Sequence, residues 1–348
     1  MIILKIILIP VSVIYSFIVT IRNKLYDIGI FKSKKISKPV ISIGNISTGG
    51  TGKTPLTIHI AKYLLDRNVI VGIISRGYKR KSKEIIIVSD GENINRNVWE
   101  SGDELIMISE ELINKYKNKF CIAAGADRIE AGELLINKFN PDIIILDDGF
   151  QHRRINRDLD IVIIDAADYL VNAINNIFTL PSGNLRESFA NTGRADLIVQ
   201  NNKADSTDEL SFLSYKNSSI LQMRYKTEYF IDNKNSILEK TENSVKKAIV
   251  FSGIANDDSF LKMIKEEGIE IISNKKFSDH YEYKDEDIEY LSSQIKAGMI
   301  FITTEKDFVK VKQFSDFINK YPVYFLKIKI EISKNENLLN NQLEKFIK

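Results

Sequence analysis

The sequence predicts an α/β protein with a mostly parallel sheet in a larger domain, a smaller second α/β domain, and an N-terminal membrane-associated helix. Three observations predict it. Short apolar runs alternate with longer stretches of helical period, the pattern of βαβ units. That rhythm is broken once, over residues 206–235, and then resumes, and a chain of 348 residues exceeds what one hydrophobic core usually supports. The first 21 residues carry one charge, Lys5, in an otherwise apolar run.

Taken in order, the strands are expected at residues 40–43, 69–74, 84–88, 120–123, 142–146, 160–164 and 196–200. Helical periodicity fills residues 53–65, 103–114 and 128–137 between them. These elements form the larger domain, residues 22–205. The polar stretch 206–235 holds two short β-like runs, residues 220–225 and 228–231, and reads as a linker with a short hairpin. Residues 236–348 form the smaller domain, with strands at 248–251, 270–273, 299–303 and 323–330.

Residues 1–21 are just long enough to span hydrocarbon, but four hydroxyl side chains (Ser12, Tyr15, Ser16, Thr20) weaken that reading. Arg22, Lys24, Lys32, Lys34, Lys35 and Lys38 follow at once, with Asp27 as the sole acid among them. An apolar helix followed by cations suits an interfacial anchor on an anionic lipid surface, peripheral or as a single helix. No small-x-small cleavage site precedes the cations, which disfavours a signal peptide. Overall, 49 basic against 46 acidic residues give +3, too balanced by itself to argue for nucleic acid, and no nucleic-acid partner is expected. No obligate protein partner is evident either. The single cysteine, Cys121, has no internal partner for a disulfide and lies in an apolar run, as a small buried hydrophobe would.

The chemistry enters at Ile41-Ser42-Ile43-Gly44-Asn45-Ile46-Ser47-Thr48-Gly49-Gly50-Thr51-Gly52-Lys53-Thr54, a strand pattern running into a helix pattern. Ser47 to Thr54 is a variant P-loop, with Ser47 in place of the usual first glycine. Its backbone N–H groups and the helix N-terminus would cradle phosphates, Lys53 would neutralise the β- and γ-phosphates, and Thr54 would ligate Mg²⁺. A second apolar strand, Asp142 to Leu146, ends in Asp147 and Asp148, carboxylates suited to hold Mg²⁺ beside the loop. The larger domain is therefore expected to be of the P-loop NTPase type, binding ATP with Mg²⁺.

A phosphoryl transfer to a hydroxyl needs a base, and the chain offers three histidines. His59 lies within the helix after the loop, His152 follows the acidic pair, and His280 stands in the smaller domain. Pattern alone does not choose among them. The chain, however, resembles the tetraacyldisaccharide 4'-kinases of lipid A biosynthesis over nearly its whole length. The resemblance is carried by Val40 to Ile46, Gly49 to Pro55, Ser75-Arg76-Gly77-Tyr78, Gly102-Asp103-Glu104, Asp147 to His152, Leu180-Pro181-Ser182-Gly183, Leu185-Arg186-Glu187, Phe251 to Ile254, Asp279-His280 and Thr303 to Asp307. It implies transfer of the ATP γ-phosphate to the 4'-hydroxyl of an acylated disaccharide 1-phosphate at the cytoplasmic face of the inner membrane. It further implies that Asp103 and His280 take the hydroxyl proton, that Asp147 and Asp148 organise magnesium, and that Arg76, Tyr78, Arg186 and Glu187 line the phosphate and substrate cleft. An acylated substrate stays in the bilayer, which gives the N-terminal segment its reason.

Four positions depart from that family's pattern: Leu105 and Asn184 replace prolines, Lys79 a glycine, and Tyr281 a second histidine. None removes a candidate reacting group. Two rivals use similar loops. Membrane-switch ATPases carry an extra lysine where Thr48 stands, and a GTPase is suggested only by Asn202-Lys203-Ala204-Asp205, a guanine-reading pattern that arises easily in an asparagine- and lysine-rich chain.

Overall fold

The protein is described here from a computed structural model covering residues 2–78, 80, 83–166, 177–203, 210, 219–239 and 246–347. Helices α1 (Ile2–Ile7) and α2 (Ile9–Asp27) open the chain. Strand β1 (Val40–Asn45), α3 (Lys53–Leu65), β2 (Val71–Ser75), β3 (Ile86–Ser89), α4 (Val98–Ser101), α5 (Asp103–Ile113), β4 (Phe120–Ala124), α6 (Arg128–Phe139), β5 (Ile143–Asp147), β6 (Leu159–Asp165) and β7 (Leu197–Asn201) follow. Next come β8 (Ser219–Ile231), β9 (Lys247–Ser252), α7 (Asp258–Glu266), β10 (Glu270–Lys276), α8 (Asp285–Gln294), β11 (Met299–Thr304), α9 (Glu305–Val311), α10 (Ser315–Lys320), β12 (Val323–Lys334) and α11 (Glu336–Leu343).

The strands form one mixed, mostly parallel sheet in the order β10-β9-β11-β12-β8-β7-β6-β1-β5-β2-β4-β3. Strands β1, β2, β5 and β6 are buried at every position, which is why they read as continuous apolar runs rather than alternating ones. Helices α3 and α5 cover one face through Leu56, Ile60, Leu64, Leu105, Ile108 and Leu112, all at most 1% exposed. At a rough 1.5–3 kcal/mol per fully buried aliphatic side chain, this layer is a principal source of the larger half's stability. An aromatic cluster around Phe251, Phe301, Phe317 and Tyr283 forms the core beyond β12. Cys121 is buried in β4, and burial pushes its thiol up to about 12, so it is inert packing.

Two expectations are corrected. The hairpin expected at residues 220–225 and 228–231 is the single strand β8, parallel to β7 and antiparallel to β12. Thr227 faces Ile328 and Tyr229 faces Lys327, so Glu228 is an extra residue, and this bulge is the interruption that made one strand look like two. Residues 206–209 and 211–218 of the expected linker lie outside the described residues. Through β8 and β12 the sheet runs without interruption from one half of the chain to the other. The apolar helix does not end at residue 21 either. Pro10, at the start of α2, suits a helix N-terminus because it lacks an N–H, and α2 continues to Asp27. Among the described residues, no helix is long and apolar enough to cross a membrane.

Candidate functional site

The phosphate loop leaves the C-terminal end of β1, which lies between β5 and β6, and enters α3. Nucleotides bind parallel α/β sheets at such strand ends. Gly52 precedes α3 with φ +99°, a left-handed conformation natural to glycine. A Cβ there would meet Tyr225 Oη at 2.4 Å and Asn201 Nδ2 at 2.5 Å. The curl is fixed from outside as well: Asn45 Nδ2 donates to Thr51 Oγ1 at 2.9 Å, Asn201 Nδ2 to the Thr51 carbonyl at 2.9 Å, and the Thr48 amide to the Asn184 carbonyl at 2.8 Å. Thr48, Gly49, Gly50, Thr51, Gly52, Lys53 and Thr54 line a cleft of about 880 Å³; Ser47 does not, being tied to Leu185 by a backbone bridge.

Asp147 and Asp148 end β5 side by side but face differently. Asp147 is fully buried and accepts from Thr57 Oγ1 at 3.1 Å through Oδ1, while its Oδ2 has no partner. Burial, and then the Glu104 charge, raise its pKa. Asp148 takes a left-handed φ of +59° and turns into the cleft, where Arg186 NH1 donates to both its oxygens at 2.8 Å and Lys53 Nζ lies 3.7 Å away. Burial opposes its charge, but Lys53 and Arg186 outweigh burial and lower its pKa. The orphan oxygen of Asp147, the adjacent Asp148 carboxylate and the Thr54 hydroxyl of the loop are hard-oxygen donors of the kind Mg²⁺ takes, its remaining oxygens coming from phosphate and water. Among the described residues, no cluster of three or more His, Cys, Asp or Glu side chains could hold a metal.

Asp103 begins α5, after Gly102 turns the chain out of α4 with φ +91°. Its carboxylate, 5% exposed, meets His280 Nδ1 at 2.9 Å and 3.1 Å. His280 arrives from the far half of the chain on a loop after β10, itself with φ +56°, its amide donating to the Gly253 carbonyl at 3.2 Å. Burial opposes the Asp103 charge, but the hydrogen bond with His280 and the charges of Lys306, His280 and Lys310 hold its pKa down to about 2. Tyr78 covers the imidazole with ring centroids 4.8 Å apart. His280, Tyr78, Arg76 and Arg186 all line the cleft that the phosphate loop lines.

The sequence expectation fails for Glu187. It is 0% exposed and does not face the cleft; Gln151 Nε2 donates to its Oε1 at 2.7 Å, while Asn23 Nδ2 and Arg194 NH2 donate to Oε2 at 2.9 Å each. Glu187 is thus a brace behind Arg186. Of the other histidines, His152 is held down to about 4 by burial and then by Arg128, and does not line the cleft; His59 lines it from α3. Of the guanine-reading pattern, Asn202 is buried with Oδ1 accepting from Gln200, and Lys203 lines the cleft while pairing with Asp165 at 2.5 Å. Ala204 and Asp205 lie outside the described residues. Sequence reasoning also missed Lys306, whose Nζ stands 3.0 Å from His280 Nε2, and Gln151, which ties Glu187 to the Asn45 carbonyl. The Thr303 to Asp307 motif was the available signal for Lys306.

Helix α2 packs along this site by a polar seam. Tyr15 Oη donates to the Arg186 carbonyl at 3.0 Å, Ser12 Oγ accepts from the Ser182 amide at 2.8 Å, and Asn23 reaches Glu187. Its other face carries Val13, Ile14, Phe17 and Ile18, each more than half exposed.

A family model described as tetraacyldisaccharide-1-P 4'-kinase matches residues 4–348. The tetraacyldisaccharide 4'-kinase of Chlorobium limicola is 36% identical over 350 residues, covering 97% of each chain. That of Aquifex aeolicus is 35% identical over 334 residues, covering 95% of this chain and 96% of its own. The crystal structure of the "apo" form of LpxK from Aquifex aeolicus in complex with ATP is similar over 99% of this chain and 100% of that one, with a TM-score of 0.79 and 32% identity.

Proposed function

The chain belongs to the tetraacyldisaccharide-1-P 4'-kinase family, and from that premise we propose a site in which Asp103 and His280 activate the acceptor hydroxyl and the Ser47 to Thr54 loop presents ATP to it. The enzyme is an ATP-dependent kinase that transfers the γ-phosphate to the 4'-hydroxyl of tetraacyldisaccharide 1-phosphate in lipid A biosynthesis. The observation that carries the assignment of roles is the Asp103–His280 contact at 2.9 Å, made between distant parts of the chain at the edge of the phosphate-loop cleft.

In this reading the hydroxyl oxygen attacks the γ-phosphorus while its proton passes to His280 Nε2. The bond from the γ-phosphorus to the bridging oxygen breaks, and ADP leaves. Asp103, ionised throughout the physiological range, orients the ring through Nδ1 and stabilises the imidazolium that forms. Lys53 and Arg186 supply positive charge where negative charge accumulates on the transferred group, and Asp148 holds both cations in place. Thr54, Asp147 and Asp148 would hold Mg²⁺, which neutralises phosphate charge when bound. Arg76 and Tyr78 meet the sugar side of the cleft. Residues 22–205 and 236–348 act as two units whose approach brings His280 to Asp103 and excludes water that would otherwise take the phosphoryl group.

The substrate's acyl chains place the reaction at a lipid surface. The exposed face of α2 suits insertion into one leaflet at the cytoplasmic side of the inner membrane, with Tyr15, Val19 and Arg22 opening the cleft toward it. Incubation of the full chain with γ-labelled ATP, Mg²⁺ and a tetraacyldisaccharide 1-phosphate in mixed micelles tests the reading. Label is expected on the lipid, ATP is expected to be preferred over GTP, and an unlabelled lipid refutes the reading.

A further inference from the structure

We propose that Lys306 is a positioning residue that keeps His280 unprotonated and occupies its Nε2 until the acceptor hydroxyl takes that place. The inference rests on the reading of His280 as the base. Lys306 is the second residue of α9, two positions after the Thr304 cap. Its Nζ lies 3.0 Å from His280 Nε2, 3.2 Å from Asp279 Oδ1 and 4.0 Å from Asp103 Oδ2, with its side chain 18% exposed.

An ammonium group has donors and no acceptor, so at 3.0 Å it must donate to a ring nitrogen that carries a lone pair. The imidazole is then neutral, with its one proton on Nδ1 facing Asp103. That is the state a general base needs: a lone pair aimed into the cleft and the proton directed at the carboxylate that will steady the cation. The lysine stays charged here because the surrounding acids, Asp103 first, outweigh its burial and raise its pKa.

The groups facing His280 divide by sign. Asp103 from α5 and the adjacent Asp279 favour the imidazolium, Lys306 from α9 opposes it, Tyr78 covers the ring without charge, and further out Glu104 acts on Lys306 and Lys310 on Asp103. Without Lys306, Asp279 would be the charge left beside Nε2, and a carboxylate there favours the imidazolium. The ammonium also stands where the hydroxyl must donate, so substrate binding displaces it toward Asp279, the nearer of its two carboxylate partners. A cation beside the ring while the proton transfers would oppose the transfer, so displacement is part of activation.

The test compares Lys306→Met and Lys306→Arg with the full-length wild type, in mixed micelles with ATP and Mg²⁺, recording kcat and KM for the lipid from about pH 5 to pH 9. For Lys306→Met, the acidic limb of the kcat/KM profile is expected to move up by about one pH unit, the size of effect a close charge has on a titrating neighbour. At the alkaline end, where the base is unprotonated in any case, kcat is expected to recover most of its loss, and KM for the lipid should not rise. Lys306→Arg retains the charge and should keep the acidic limb near the wild-type position. An unmoved limb in Lys306→Met, or equal kcat losses in both variants at every pH, overturns the role given to Lys306. A His280→Ala variant run alongside separates the premise: if it retains wild-type activity, the base assignment itself fails, whatever Lys306 does.

Discussion

Replacing Glu187 by alanine distinguishes a buried brace from a substrate contact. The carboxylate is fully buried and accepts three hydrogen bonds, one of them from Arg194, whose guanidinium lies 4.4 Å from the Phe150 ring centroid with Nε and NH1 unpartnered. Truncation removes the counter-charge of Arg194 and leaves Asn23 and Gln151 each short of an acceptor. Breaking a buried ion pair from one side costs about 3–5 kcal/mol, because a buried charge remains uncompensated. The stranded amides cost roughly 1 kcal/mol each where water cannot reach them. A loss of about 5–7 kcal/mol on these figures is a large share of the roughly 5–15 kcal/mol that holds a typical protein folded. Urea unfolding followed by circular dichroism reads this loss directly. Glu187→Gln, which keeps the shape and one acceptor, should lose less than half as much. A destabilisation below about 1 kcal/mol together with a raised KM for the lipid would refute the brace and restore Glu187 to the cleft.

The remaining expectations concern the cleft and the helix beside it. Asp103→Ala and His280→Ala should each lower kcat severely, and the double variant should lose little more than the worse single one, since the pair acts as a unit; losses that multiply would separate their roles. The pKa of Asp103 is depressed to about 2, so its contribution to stability is present above about pH 4 and is lost as pH falls from there toward 2. That contribution is roughly 2 kcal/mol, and acid unfolding of Asp103→Asn should lack this component. Gly52→Ala brings a Cβ to 2.4 Å from Tyr225 Oη on a backbone at φ +99°, and should abolish ATP binding in a nucleotide titration while most of the fold survives. Ile14→Asp with Phe17→Asp should release the protein from anionic vesicles in a sedimentation assay, with turnover of detergent-dispersed substrate largely kept; unchanged sedimentation would refute the interfacial role of α2.

The strands and helices of the first half were legible because parallel strands buried on both faces are continuous apolar runs, and because the phosphate loop imposes glycines at fixed offsets before α3. The chain's variant loop, its paired aspartates and its family resemblance were likewise present in the letters alone. Strand β8 was misread because the Glu228 bulge interrupts a run that only its pairing with β12 makes continuous. The sequence alone could not separate Asp147, sealed beneath Thr57, from Asp148, turned outward by a left-handed φ, nor Arg186 in the cleft from Glu187 behind it. Adjacent residues share a position in sequence but point to opposite sides of a backbone, and which side meets solvent depends on what packs there. Local pattern therefore determined the elements and the class of chemistry. The tertiary structure decided which charges meet: Asp103, His280 and Lys306 are more than twenty residues apart in every pairing, and only the packing of α5 against α9 and the loop after β10 brings them within 4.0 Å of one another.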